Sequence, residues 1–258
     1  MLSLDKLCYQ SKLRSRSAAE KFAFAVLTLC VCVCCRRAAV SCAVLLAMGL
    51  MTVCRGGVPL RRYLRLLLLP LSFLLLSALA IAVQVQPAPL DLFAVPLGGW
   101  FLTGSSAALA YALTLSVTAL AAVSCLYFLT LTTPVPELLD VLRWLRCPKL
   151  VTELMLLIYR FIFVLLETAS AIGVSQRCRL GNRDGRTSLR SFGQLGAVLL
   201  VRSAKRADAL YVSMEARCYD GELRVLPESR PPRARALLAV LAFNLALVLF
   251  TVWRGGMG

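Results

Sequence analysis

The chain has 258 residues, 59% of them hydrophobic and 16% charged, with a mean hydropathy of +0.77; ordinary soluble domains are about 45–50% apolar and about 25% charged. That apolar excess counts against a soluble globular enzyme and excludes a disordered chain and a collagen-like fibre; with 29 Lys and Arg against 13 Asp and Glu, a formal charge of +16 whose cations must sit outside hydrocarbon, the expected class is an all-α integral membrane protein. Histidine is absent from the sequence, which removes the commonest metal ligand and the usual general base at neutral pH.

Five basic residues, Lys6, Lys12, Arg14, Arg16 and Lys21, precede the first apolar run. That run ends in Arg36-Arg37 instead of a small-residue cleavage site, so it reads as a span and not as a signal peptide. Runs 22–35 and 38–54 form a tight helical hairpin whose two arginines snorkel to the far interface. Runs 64–85 and 105–132 are long enough to cross a bilayer unaided, and 236–253 closes the chain, giving about five spans. Cys30, Cys32, Cys34, Cys35, Cys42, Cys54 and Cys125 lie within these runs and read as small buried hydrophobes, not as a disulfide scaffold or metal site.

Orientation follows from the cations. The 55–65 loop holds Arg55, Arg61, Arg62 and Arg65, whereas 86–104, with Pro87, Pro89, Pro96, Gly98 and Gly99, holds no Lys or Arg. The N-terminus is therefore cytoplasmic, 86–104 external and 133–235 internal. The expected organisation is a four-span domain over 1–132, a cytoplasmic domain of long helices over 133–235, and a final membrane helix over 236–258. The internal segment carries 17 of the 29 basic and 10 of the 13 acidic residues, so it is the working part.

Within it, Pro134 and Pro136 open a short helix that Pro148 ends, with Leu138, Leu139, Leu142 and Leu145 on one side. Residues 149–180 form one helix of about 48 Å, on which Glu153, Arg160 and Glu167 share a stripe among apolar faces. The turn 181–185, Gly-Asn-Arg-Asp-Gly, leads to a second helix from about 187 to 217, with Leu189, Phe192, Leu195, Leu199, Ala207, Leu210 and Met214 at helical spacing. The two make a hairpin or a cross. Pro227, Pro231 and Pro232 form an extended connector to the last span.

Several chemistries find no parts. The sequence contains no Gly-x-x-x-x-Gly-Lys-Ser/Thr loop for nucleotide phosphates. Outside the internal segment and the first twenty residues the one acidic residue is Asp91, in a loop, so an intramembrane ion relay lacks carboxylates. Gln84 and Gln86 at a span end read as interfacial. A self-sufficient channel or secondary transporter would need polar groups within the spans or broken helices in inverted repeats, neither of which is found. A nucleic-acid or anionic-lipid binder would use the charge directly, but topology already accounts for the loop cations and no aromatic-basic motif is present.

What stands out is a duplication. The first long helix closes on Gln176-Arg177-Cys178-Arg179-Leu180-Gly181, the second on Met214-Glu215-Ala216-Arg217-Cys218-Tyr219-Asp220-Gly221. An arginine at a helix C-terminus complements the macrodipole, and small neighbours let the end enter a groove while the guanidinium binds a carboxylate bidentately.

With Ser203–Asp208 leading into the second closing segment, Val58-Pro59-Leu60-Arg61-Arg62-Tyr63, the Pro-Glu-Leu-Leu at 136–139 and Tyr159-Arg160-Phe161-Ile162-Phe163, the chain resembles, over nearly its whole length, the transmembrane T component of energy-coupling factor transporters, in its cobalt-type branch. The family's closing motif reads Ala-Arg-Gly; here it is similar to Ala216-Arg217-Cys218 and to an eroded copy among Arg177, Cys178, Arg179 and Gly181, with Arg177 or Arg179 as the first arginine. The resemblance implies a subunit of the cytoplasmic (inner) membrane that hydrolyses nothing and binds no cofactor, ATP being used by partners. Those partners are two ABC ATPase subunits on the coupling-helix ends and a substrate-binding membrane subunit held by the spans in the lipid bilayer, with no nucleic acid involved. It further implies cobalt uptake; nickel or a vitamin stays open.

Overall fold

The computed structural model describes residues 8–9, 11–86, 93–97, 100–221 and 233–255. Lys6, Pro87, Pro89, Asp91, Gly98, Gly99 and the connector prolines 227, 231 and 232 lie outside the described residues. The chain divides into two compact units, one of Leu139–Glu228 and one of Leu2–Leu138 with Ser229–Gly258.

The second of these holds the spans: α1 (Ala18–Cys35), α2 (Ala38–Leu50, prolonged by a π-helical turn Met51–Arg55), α3 (Leu60–Ala82), α4 (Ser106–Thr132) and, after the other unit, α8 (Ala234–Gly255). Among the described residues five helices are long and apolar enough to cross a membrane, and the protein is a multi-pass membrane protein of the all-α class, its spans and both long helices of the other unit being α-helical. The α1–α2 hairpin turns on two residues, Arg36 taking the left-handed φ of 44° that reverses the chain.

Helix α4 is the axis, with α1, α2 and α3 all packed on it and α8 on α1. Small buried residues along α4, namely Ala112, Ala121, Ser124 and Cys125, let neighbouring backbones approach, as helices in lipid require. Hydroxyl pairs link them, Ser41 with Thr118 at 2.9 Å and Tyr63 with Ser124 at 2.7 Å. Of the cysteines in apolar runs, Cys32 and Cys125 are buried and Cys35 half-buried, but Cys30, Cys34, Cys42 and Cys54 face outward. The expectation of burial fails for those four because an apolar run in a bilayer meets lipid as readily as protein.

The segment between α3 and α4, expected as a Pro/Gly loop, contains strands among its described residues. Strands β1 (Val83–Gln86), β2 (Phe93–Leu97) and β3 (Trp100–Gly104) form an antiparallel sheet in the order β1-β3-β2. Val83 and Phe93 both pair with Gly104, and Gln84 and Gln86 belong to the β1 backbone.

Leading into the other unit, α5 (Val135–Trp144) buries Leu139 and Val141, while Leu145 lies past its end and is exposed. That unit is built on α6 (Lys149–Cys178) and α7 (Gly185–Glu215). They run antiparallel, joined at the turn by Gln176 Nε2 donating to Ser191 O at 2.8 Å and Ser191 Oγ to Gly181 O at 2.8 Å. At the far end Tyr219 Oη donates to Glu153 at 3.4 Å, so the pair is a hairpin. Desolvation and the Glu153 carboxylate push the Tyr219 phenol up from its ordinary value. The α7 seam runs through Ser191, Leu195, Leu199, Ser203, Leu210 and Met214; of the apolar residues at helical spacing, Leu189 and Phe192 are 73% and 72% exposed, and Ala207 is exposed as well.

Candidate functional site: two matched helix ends

The last turns of α6 and α7 are alike bond for bond. At the end of α6, the Arg179 N–H donates to Gln176 O at 3.2 Å, Leu180 N–H to Arg177 O at 3.1 Å and Gly181 N–H to Gln176 O at 2.8 Å. At the end of α7, Arg217 N–H donates to Met214 O at 3.0 Å, Cys218 N–H to Glu215 O at 3.0 Å and Tyr219 N–H to Met214 O at 3.1 Å. Each is a C-cap closed by nested bonds around one left-handed residue, Leu180 at φ 57° and Cys218 at φ 58°. The register superposes Cys178 on Ala216, Arg179 on Arg217 and Leu180 on Cys218. Arg177 falls on Glu215, where the other end carries the opposite charge. Arg179 is thus the structural equivalent of Arg217, a choice the sequence left open between Arg177 and Arg179.

All six of these residues, Cys178, Arg179, Leu180, Ala216, Arg217 and Cys218, are exposed. The guanidiniums stand at the negative poles of their helices, where a cation is stabilised by about 0.3–1 kcal/mol. The 31 residues of α7 separate the ends by about 46 Å, so one pocket cannot take both.

Gly181 differs in kind from its neighbours. A Cβ there would stand 2.8 Å from Gln176 O and 2.9 Å from Ser191 Oγ, so the glycine permits α7 to close against the α6 terminus. A left-handed non-glycine costs about 1–2 kcal/mol, and Leu180 is 67% exposed, so little packing offsets that cost. Leu180→Gly should raise thermal stability by about 1 kcal/mol, Leu180→Val should lower it, and Gly181→Ala should lower it further. Thermal unfolding in detergent reads all three; a stabilised Leu180→Val would contradict the cap geometry.

A second constellation joins residues that the sequence shows only separately, Lys21 among the N-terminal cations and Glu137 in the Pro-Glu-Leu-Leu segment. Lys21 on α1 donates from Nζ to Thr132 O, the last carbonyl of α4, at 3.0 Å and pairs with Glu137 in the first turn of α5 at 3.5 Å. Its neighbour Glu20 accepts the Arg233 N–H at 2.7 Å, one residue before α8 begins. Adjacent residues of the first span thus fasten both chain segments that bound the 139–228 unit. Lys21 is 4% and Glu137 14% exposed. Acidic Glu137 two residues into a helix was the available signal, but its partner lies 116 residues away.

Among the described residues no group of three or more His, Cys, Asp or Glu could hold a metal ion.

Residues 10–232 match the family described as CbiQ, cobalt transport protein. The chain is 35% identical over 247 residues to the cobalt transport protein CbiQ of Rhodobacter capsulatus, covering 96% of both chains. It is 26% identical to the cobalt transport protein CbiQ of Salmonella typhimurium over 87% of this chain and 100% of that one. A putative fused cobalt transport protein CbiMQ of Methanocorpusculum labreanum is 39% identical over 60% of this chain, which spans 25% of that longer protein.

Proposed function

The chain belongs to the CbiQ cobalt transport protein family, and from that premise we propose that it is the coupling subunit of an ATP-driven cobalt importer, seated in the cytoplasmic membrane with its N-terminus inside. Arg179 and Arg217 dock on two ABC ATPase subunits, one each, and the spans hold a substrate-binding membrane subunit. The observation that carries this reading is the repeated cap. Two exposed arginines in the same hydrogen-bonded frame, at opposite ends of one long helix, suit two equivalent acidic sockets on paired identical or homologous partners.

Small Cys178 and Ala216 beside the arginines keep each tip narrow enough to enter such a socket. The outward apolar side chains of α7 near its start, Leu189, Phe192 and Leu200, supply a face for a further partner, since an exposed apolar patch of this kind marks an interaction surface. A relative whose name describes CbiM and CbiQ fused in one polypeptide supports a standing partnership with a second transporter component. On this reading ATP-driven closure of the ATPases moves the hairpin, and the hairpin moves the cargo-binding subunit. The chain itself neither hydrolyses ATP nor binds the cation.

The test is cobalt accumulation in vesicles. Uptake should require this chain, the ATPases, the membrane partner and ATP together, and the isolated chain should show neither ATPase activity nor uptake. Cobalt uptake by the isolated chain would overturn the proposal in favour of a self-sufficient transporter.

A further inference from the structure

We infer that the span unit carries a binding site for one anionic phospholipid in a cavity of about 610 Å³ where the basic ends of α1, α2 and α8 meet. The depth of the cavity is mostly apolar, walled by Phe24, Met51, Phe128 and Phe243, with the buried Lys21 and Glu20 beside them. The rings form a cluster, with Phe24 edge-on to Phe128 at 5.5 Å and tilted on Phe243 at 5.8 Å. The rim is cationic: Arg16 just before α1, Arg55 closing the turn after α2, and Arg233 and Arg235 at the start of α8.

Charge accounting at that rim leaves an excess. Lys21 is taken by Thr132 O and Glu137, and the single carboxylate lining the cavity, Glu20, is buried and taken by the Arg233 N–H. Four guanidiniums remain with no carboxylate paired to them among the described residues, at the level where spans meet water. A soluble anion such as free phosphate would match the rim and leave the aromatic depth empty, and a neutral lipid would match the depth and leave the rim unpaired. A lipid with a net negative phosphate headgroup satisfies both, its phosphate on the arginines and its acyl chain along the phenylalanines. The volume lies within the range of small-ligand sites, about 300–1,000 Å³. This inference needs only the five-span fold and is independent of ATPase docking.

Native mass spectrometry of the full chain with equimolar phosphatidylglycerol and phosphatidylcholine tests it without partner subunits. One phosphatidylglycerol should be retained with about tenfold preference, weakening as salt is raised. Arg55→Gln with Arg235→Gln should abolish the preference, and Ala239→Phe, which fills the cavity and leaves every charge, should abolish retention. Equal retention of phosphatidylcholine, retention unaffected by Ala239→Phe, or binding of glycerol 3-phosphate as tight as that of the lipid would overturn the site. Should the double arginine variant fail to fold, the lipid preference and Ala239→Phe decide.

Discussion

Arg217→Glu is expected to weaken assembly with the ATPase subunits by about 100-fold or more and to abolish ATP-driven uptake, while the chain still inserts and folds. Removing one partner of a buried, hydrogen-bonded charge pair costs about 2–5 kcal/mol, and reversal adds repulsion. Arg217 forms no ion pair with its own chain among the described residues, and its backbone alone makes the cap, so the substitution leaves the helix end intact. Arg179→Glu should behave in the same way, because it occupies the same place in the same frame. Arg177→Glu should do far less, since the equivalent position at the other end is already Glu215. Quantitative co-purification with each variant reads the order. Equal loss from Arg177→Glu and Arg179→Glu would mean that bulk positive charge, not the cap position, recruits the partner.

The second large effect concerns Lys21. Replacing it with Met keeps the length and the apolar stem but leaves Glu137 without its cation and Thr132 O without its donor. Breaking a buried ion pair from one side costs about 3–5 kcal/mol; with Glu137 14% exposed, the lower end is expected. Glu137→Gln alone should cost less, because Lys21 keeps Thr132 O, and the double variant should cost less than the sum of the singles. A Lys21→Met protein that unfolded in detergent at the wild-type temperature would show that the α4–α5 junction is held by packing alone. If stability fell and uptake per folded molecule did not, the fastening would be structural with no part in coupling.

Much of this was readable from the sequence, for identifiable reasons. The spans and the two long helices declare themselves because unbroken apolar length and helical periodicity survive without tertiary context. The matched arginine ends were visible as a repeat, but their register was not. It depends on which residue takes the left-handed turn, and both ends hide that position by placing Leu180 and Cys218 where glycine would announce it. The sheet between α3 and α4 escaped because its strands are short and set among prolines and glycines that read as loop. Helical spacing put Leu189, Phe192 and Ala207 in one series with Leu195, Leu199, Leu210 and Met214 without separating those that face the chain from those that face outward, because an apolar residue of a membrane protein can equally meet a partner or lipid. The Glu20–Lys21 fastening was out of reach altogether, since its partners are brought near only by the packing of α1 against α4 and α8.

The central claim, that both arginine-bearing tips seat in ATPase partners, can be tested with the protein's own cysteines. Cys178 precedes Arg179 and Cys218 follows Arg217, and both thiols are exposed. With the other cysteines replaced by Ser or Ala, a short thiol-to-amine cross-linker applied to the assembled complex should join Cys178 to one ATPase subunit and Cys218 to another, giving a species with both when the two cysteines are present together. Cross-links from neither tip, or from both tips to a single ATPase molecule, would contradict the account.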